Sequence, residues 1–402
     1  MRPRSAMNSK KIKTVAVHAG SRIRGSRAEG IAPPLHLAAV SYFDDAGALD
    51  LSLDGKDFVY ARISSQNVVL LEEAVAALEG AEACVAFASG MAALRAVLDA
   101  QPLASGDLVV MPADGYGATR ALFKSFLARR GVELQPLILS EPEALQRIEK
   151  LRPKFVLAES ITNPLLSVPD LPALSAVCHR VGALLAVDAT FASPVLQQAH
   201  RLGADYVIQS TTKWINGHSD AMGGTVSGSA SRIDPLRAGR VQDGGILGPF
   251  EAWLTLRGIR TLPIRIKSHC DHALQVAKRL AQSPLLDRVL YPGLPTHPNH
   301  ATAQKLLGPG FGGMLAFEIK GADRAQAFRF LESVELCKPA PSLGDVTTLV
   351  MHAATASARR LTPQEREAAG IKENLIRVSV GLEDPEDIAE DLLRAVARAV
   401  GQ

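Results

Sequence analysis

"ALLAVDATFASPVLQQAHRLGADYVIQSTTK", residues 183–213, holds two apolar runs, each leading to a charged residue. The first, Leu184 to Val187, closes on Asp188; the second, Tyr206 to Ile208, is followed a few residues later by Lys213. Between them Pro194 suits the first turn of a short helix and Gly203 suits its stop, so the segment reads strand, crossover, strand. One crossover between parallel strands puts both strand ends on the same rim of a sheet, and with them the acid and the amine. Asp188 terminates a strand of pure hydrophobics, where an unpaired carboxylate is costly, so it calls for a cationic partner. Lys213 stands among small, hydroxylated and glycine residues ("STTKWINGHSDAMGG") instead of among surface charges.

The same alternation extends toward the N-terminus. "ACVAFAS" (83–89) leads into "GMAALRAVLDA", and "DLVVMPAD" (107–114) into "TRALFKSFLARRG", with Gly131 as a helix stop. "KFVLAES" (154–160) leads into a turn-rich segment and the helical "SAVCHRVG". Strands apolar on both faces belong to a parallel sheet covered by helices on two sides, an α/β architecture. A helical stretch from Pro249 through Ala281, allowing for Gly258 and Pro263, links this part to a smaller one. The smaller part opens with "GFGGMLAFEIK" and closes with "NLIRVSVGLEDPEDIAEDLLRAVARAV", a strand and an acid-capped amphipathic helix. "GPGFGG" (308–313) spells G-x-G-x-x-G but precedes a strand instead of following one, so it is read as a turn and not as a dinucleotide site.

Functional residues of such sheets collect at the carboxyl ends of strands. Those ends are Ser89-Gly90-Met91, Asp114-Gly115-Tyr116, Glu159, Asp188 and Ser210 through Lys213. Ser89-Gly90 precedes a helix, whose first N–H groups and dipole suit a phosphate. Ser210 and Thr212 add hydroxyls near the lysine, and Tyr116 can stack on a ring. An acid for a ring nitrogen, a lysine for an aldehyde and donors for a phosphate describe a pocket for pyridoxal 5'-phosphate (PLP).

The chain resembles the PLP-dependent trans-sulfuration enzymes of cysteine and methionine metabolism: cystathionine γ-synthase, cystathionine γ- and β-lyases, methionine γ-lyase and O-acylhomoserine sulfhydrylases. The matching text runs from "VHAG" at Val17 to "RVSVGLEDPEDI" at Ile388. It includes "SGMAAL", "DGYGAT", "ESITNP", "VDATFASP", "STTKWINGHSD", "EAWLTLRGIRTLPIR" and "SLGD", in family order. The resemblance implies PLP fold type I, aspartate aminotransferase-like, with a large mainly parallel-sheet domain and a smaller C-terminal α/β domain. It implies an arm at 1–62 that contributes to the neighbouring subunit, a PLP-binding domain at 63–255 and a small domain at 256–402. Lys213 would bond to the cofactor and act as proton carrier, with Tyr116 stacking on the ring and assisting as acid–base group. Cofactor contacts would come from Ser89, Gly90, Met91, Asn163, Asp188, Ser210 and Thr212. Tyr60 and Arg62 would reach the phosphate of the neighbouring subunit. Arg377 would grip the substrate carboxylate, supported by Ser342, a task suited to a planar two-pronged cation. A homodimer would be the active unit and a homotetramer the usual assembly.

Several positions depart from the family pattern. Ser65-Gln66-Asn67 replaces the usual Asn-Pro-Thr, Ala189 an Asn, Thr347 a Glu, Ala358 a His, and His36 a Tyr. None removes the cofactor chemistry, and together they leave the substrate open. The expected reaction is β- or γ-elimination, or γ-replacement, on a sulfur-containing or O-activated homoserine-type amino acid. Three alternatives stay open: a specialised γ-lyase or γ-substitution enzyme with a non-sulfur leaving group or nucleophile, an aminotransferase, and a PLP-binding protein that has lost catalysis.

Bulk properties exclude other classes. A net charge of +3 spread over 402 residues is no nucleic-acid or membrane-surface signature. No apolar run is long enough to span a bilayer. The four cysteines form no C-x-x-C pair, and the ten histidines show no ligand spacing, so no metal site is expected. The basic "MRPRSAMNSKKIK" lacks the apolar core of a secretory signal; a lack of acids before Glu29 is its one likeness to a mitochondrial presequence, and a cytoplasmic location is expected.

Overall fold

A computed structural model describes residues 10–21, 30–53 and 57–402; the basic stretch up to Ser9 and parts of the 1–62 arm lie outside the described residues. The strands are β1 (Ala83–Phe87), β2 (Leu108–Pro112), β3 (Glu133–Leu137), β4 (Phe155–Glu159), β5 (Leu184–Asp188), β6 (Tyr206–Gln209), β7 (Gly224–Gly228), β8 (Leu286–Leu290), β9 (Met314–Ile319), β10 (Lys338–Pro339), β11 (Leu349–His352) and β12 (Leu375–Ser379). They fall into two compact units. One joins the described residues up to Ala100 with Tyr206–Pro263; the other joins Gln101–Asp205 with Ile264–Gln402.

In the first unit β7 lies between β1 and β6 and runs antiparallel to both, Ala83 and Tyr206 both registering with Gly228. The strand β7, "GTVSG", carries little apolar bulk, which is why it does not read as a strand from the sequence. A buried ion pair ties this ladder to its helices. Glu72, on the helix Gln66–Glu79, accepts from Ala86 N and from Arg240 Nη1 at 2.7 Å, while Arg237 binds its other oxygen. Both arginines also donate to carbonyls of β1, Cys84 and Ala86, which helps to offset the desolvation of their charges.

Glu79, at the end of that helix, is 0% exposed and accepts a hydrogen bond from Gln209 Nε2 at 2.8 Å. Burial pushes its pKa from 4.5 to about 8. Below the unfolded value both states hold the proton. Between 4.5 and about 8 the folded chain keeps a proton that the unfolded chain has lost, so stability falls as pH rises through this window. Glu79→Gln is expected to flatten that slope and to stabilise the protein at the alkaline end by a few kcal/mol, read from denaturation midpoints across pH.

In the second unit β5, β4, β2 and β3 are neighbours in that order and every pair is parallel, as the apolar strand text requires. The helix Leu171–Val181 returns the chain between β4 and β5. It is capped by Asp170, whose side chain accepts from Ala173 N, and it stops at Gly182, which takes φ +80°, a conformation that favours glycine. After β5 the expected short helix is split. A turn at Ser193–Leu196 and a 3₁₀ turn at Ala199–Leu202 are separated by the extended Gln197, and Gly203 closes the second.

The long helical stretch also divides, into Pro249–Ile259 and Leu262–Leu280, because Pro263 lacks an N–H and starts a new first turn. A five-stranded sheet, β10-β11-β12-β9-β8, completes the second unit, antiparallel except at β10–β11. The helix Pro385–Val400 packs Ile388, Leu392 and Val396 on it, beside Phe317 and Phe330. Its N-terminus carries the expected acids, Asp384 as cap and Glu386 and Asp387 in the first turn. The GPGFGG segment runs as bends into β9. Among the described residues no helix is long and apolar enough to cross a membrane.

Candidate functional site

In the first unit several backbone segments converge on one helix N-terminus. Ser89 caps the helix Gly90–Asp99, its side chain accepting from Ala92 N at 3.1 Å, and the N–H groups of Gly90 and Met91 have no intrahelical acceptor. Two neighbours crowd this turn. A Cβ at Gly90 would lie 3.0 Å from Ser210 Cβ, and one at Gly224 would lie 2.6 Å from Gly90 Cα. Glycine at both positions lets three backbone segments converge on the helix N-terminus, where an anion is favoured. Ser210 therefore stands beside Gly90. Thr212 is held by Gly223, whose N–H it accepts at 3.0 Å and whose carbonyl it reaches at 3.2 Å. Lys213 is half-buried, its N–H donating to Ser210 O. Arg62 is exposed, donates to Val241 O at 2.7 Å and lies 5.5 Å over the Tyr60 ring.

The second unit presents three carboxylates at adjacent strand ends. Asp188 and Glu159 register directly across from each other on β5 and β4. Asp188 accepts from Thr190 N at 3.0 Å, and Asp114 accepts from Thr162 Oγ1 at 2.9 Å. Burial raises the pKa of all three, and for Glu159 the charges on Asp188 and Asp114 raise it further. Such a cluster favours a cation. Glu159 accepts from Tyr116 N at 2.6 Å and from Asn163 N at 3.0 Å. Tyr116 is 38% exposed and near enough to Arg377 to couple to its charge.

Arg377, on β12, is 4% exposed. Its Nη1 donates to Asn163 Oδ1 at 3.1 Å and its Nη2 to Ser342 O at 2.7 Å. Among the described residues no carboxylate pairs with it, and its Nε has no partner. Burial lowers its pKa to about 10, so it stays cationic at neutral pH. A buried guanidinium resting on two neutral oxygens retains the capacity to pair with a carboxylate.

The sequence reading assigned no role to Glu159, Gly115 or Gly224. Glu159 ends a strand like the others, and the Gly223-Gly224 pair before β7 marks a close backbone approach. The departures from the family pattern also find places. Asn67 is buried and clamps the arm, accepting from His36 N at 2.8 Å and donating to Pro34 O at 2.9 Å. Thr347 N turns to Asp345, Ala189 is buried, and Ala358 is buried against Gly117, where a Cβ would meet Ser357 O at 2.6 Å.

The residues fit PLP: free helix N–H groups for a phosphate, and buried acids for a ring nitrogen. Comparison agrees. The family model of the Cys/Met metabolism PLP-dependent enzymes matches residues 13–397. An O-succinylhomoserine sulfhydrylase of Pseudomonas aeruginosa is 39% identical, covering 96% of this chain and 94% of its own. An L-methionine gamma-lyase of Fusobacterium nucleatum subsp. polymorphum is also 39% identical, with 94% and 96% covered. The crystal structure of cystathionine gamma synthase from Xanthomonas oryzae pv. oryzae in complex with cystathionine superposes with a TM-score of 0.91 at 37% identity, covering 98% of this chain and 99% of that one. A match over nearly the whole length makes this chain a member of the PLP-dependent enzymes of cysteine and methionine metabolism.

Proposed function

We propose that this PLP enzyme eliminates or replaces the β- or γ-substituent of a sulfur-containing or O-activated homoserine-type amino acid. The observation that carries the reading is Arg377, a buried cation with no acid partner among the described residues, which an amino-acid carboxylate would complete. PLP, when bound, supplies the electron sink for charge at the substrate α-carbon. Ser89, Gly90, Met91, Ser210 and Thr212 would hold its phosphate, Asp188 would keep its ring nitrogen protonated, and Asn163 would serve its ring hydroxyl. Lys213 would anchor the cofactor, and its Nζ would carry the substrate α-proton to the β- or γ-side. Tyr116 would cover the ring and assist proton transfer, and Ser342, whose carbonyl accepts from Arg377, would orient it.

The active unit is a homodimer, and dimers pair as tetramers in the cytoplasm. Of the fifteen large hydrophobics exposed among the described residues, nine lie between Ile31 and Ile63, so the arm offers an apolar surface to a partner subunit. The four cysteines are buried and unpaired, as in a reducing compartment. Burial pushes Cys84 and Cys178 up to about 12, so neither is a reactive thiol.

Two experiments test this. Cystathionine, homocysteine, methionine, O-acetyl- and O-succinylhomoserine and canavanine are offered with and without a thiol, and ammonia and 2-oxo acid are measured. Release without an acceptor keto acid is expected; release only with one would make the enzyme an aminotransferase. Separately, Arg62→Ala is expected to weaken cofactor retention roughly tenfold, as for a lost charge-assisted hydrogen bond. Mixed oligomers of Arg62→Ala and Lys213→Ala subunits should recover part of the activity, because one site per pair is then intact. No recovery would remove the shared-site assignment.

A further inference from the structure

We propose that Glu159 is a positioning residue that holds Tyr116 and Asn163 by their backbone N–H groups and, through Asn163, sets the guanidinium of Arg377. This rests on the reading of Arg377 as the carboxylate receptor and of Tyr116 as the ring cover. The carboxylate bridges two loops that are distant in sequence, the one after β2 and the one after β4. One oxygen takes the N–H of Tyr116, the residue that opens the helix Gly117–Ala128; the other takes the N–H of Asn163. The Asn163 side chain then accepts from Arg377, so one acid fixes both groups that would face substrate in this unit.

The position is an expensive one for a brace. Glu159 is 6% exposed and sits opposite Asp188 with Asp114 nearby, so burial and two like charges oppose its ionised form. A neutral side chain would avoid that repulsion but could not accept from two N–H groups with charge-assisted strength. The surroundings are also shaped for it. A Cβ at Gly115 would lie 2.8 Å from Glu159 Oε1 and 3.0 Å from Pro112 Cβ, so the missing side chain there admits the carboxylate to the loop.

Two variants test the role. Glu159→Gln replaces one acceptor by a donor that faces an N–H, and Gly115→Ala pushes the carboxylate aside without changing charge. The holoenzyme is probed with butyrate, which has the carboxylate and no amino group, as an inhibitor, and cofactor retention is read from absorbance after dilution. Each variant is expected to raise the butyrate inhibition constant and cofactor loss roughly tenfold, the effect of an unsatisfied buried N–H, with circular dichroism and oligomeric state unchanged. In an Arg377→Lys background the butyrate effect should largely vanish, because both changes act through one group. The proposal is overturned if both readouts stay within twofold of wild type, if the butyrate effect adds fully in that background, or if both variants fail to fold. Should Arg377→Lys alone leave butyrate unaffected, the receptor reading fails and with it the Asn163–Arg377 arm; cofactor retention still decides the Tyr116 arm.

Discussion

Lys213→Ala is expected to lose the visible absorbance of lysine-bound PLP and, with it, turnover. The missing proton carrier alone costs on the order of 10²–10⁴ in rate, and loss of the covalent anchor adds to it. The fold should survive. Lys213 is half-buried in a loop whose shape is kept by backbone bonds, Asn216 N to Thr211 O and Gly217 N to Lys213 O, neither of which needs the side chain. Phosphate binding should survive as well, because the crowding of Gly90, Ser210 and Gly224 does not involve the amine. The variant should therefore retain PLP reversibly, and a small added amine should restore some turnover. Lys213→Arg should be as inactive as the alanine variant, since a guanidinium stays protonated and cannot take the α-proton. Turnover of Lys213→Ala above a tenth of wild type would end the assignment.

The strands that frame these residues were legible because each is apolar on both faces and ends on an unusual residue. The β5 run closes on Asp188 and β4 on Glu159, and a charged residue after a run of buried apolar positions has few structural reasons to be there. Local chemistry also announced the acid-capped last helix, where Asp384 accepts from Glu386 N. Other elements gave no local signal. β7 is short and glycine-bounded, and β10 is two residues long, so their pairing depends on distant neighbours. The same holds for the bridge from Glu159 to Tyr116, which spans 43 residues, and for that from Arg377 to Asn163, which spans 214. Residue type suggested a role for Arg377, but only the structure shows a buried cation without an acid partner among the described residues.

Arg377→Ala is expected to lower kcat/KM for the amino-acid substrate by roughly 30- to 5,000-fold, the 2–5 kcal/mol of a buried hydrogen-bonded charge pair. The loss should fall on kcat as well as KM, because the carboxylate is borne by the α-carbon and its grip also orients the C–H bond that breaks. Arg377→Lys should recover little. A lysine offers one point charge in place of a fork, and burial that already lowers the guanidinium to about 10 would favour a neutral amine there. Backbone rearrangement is not a rival cause, since β12 is paired on both sides, Arg377 registering with Met351 of β11 and Ala316 of β9. Specificity gives the sharpest reading. Wild-type enzyme should discriminate strongly between an amino acid and its α-amide, because only the acid neutralises the guanidinium. Removing Arg377 removes the reason for that preference, so the two ligands should converge in kcat/KM. If the alanine variant kept the full preference for the acid, the carboxylate would be held elsewhere.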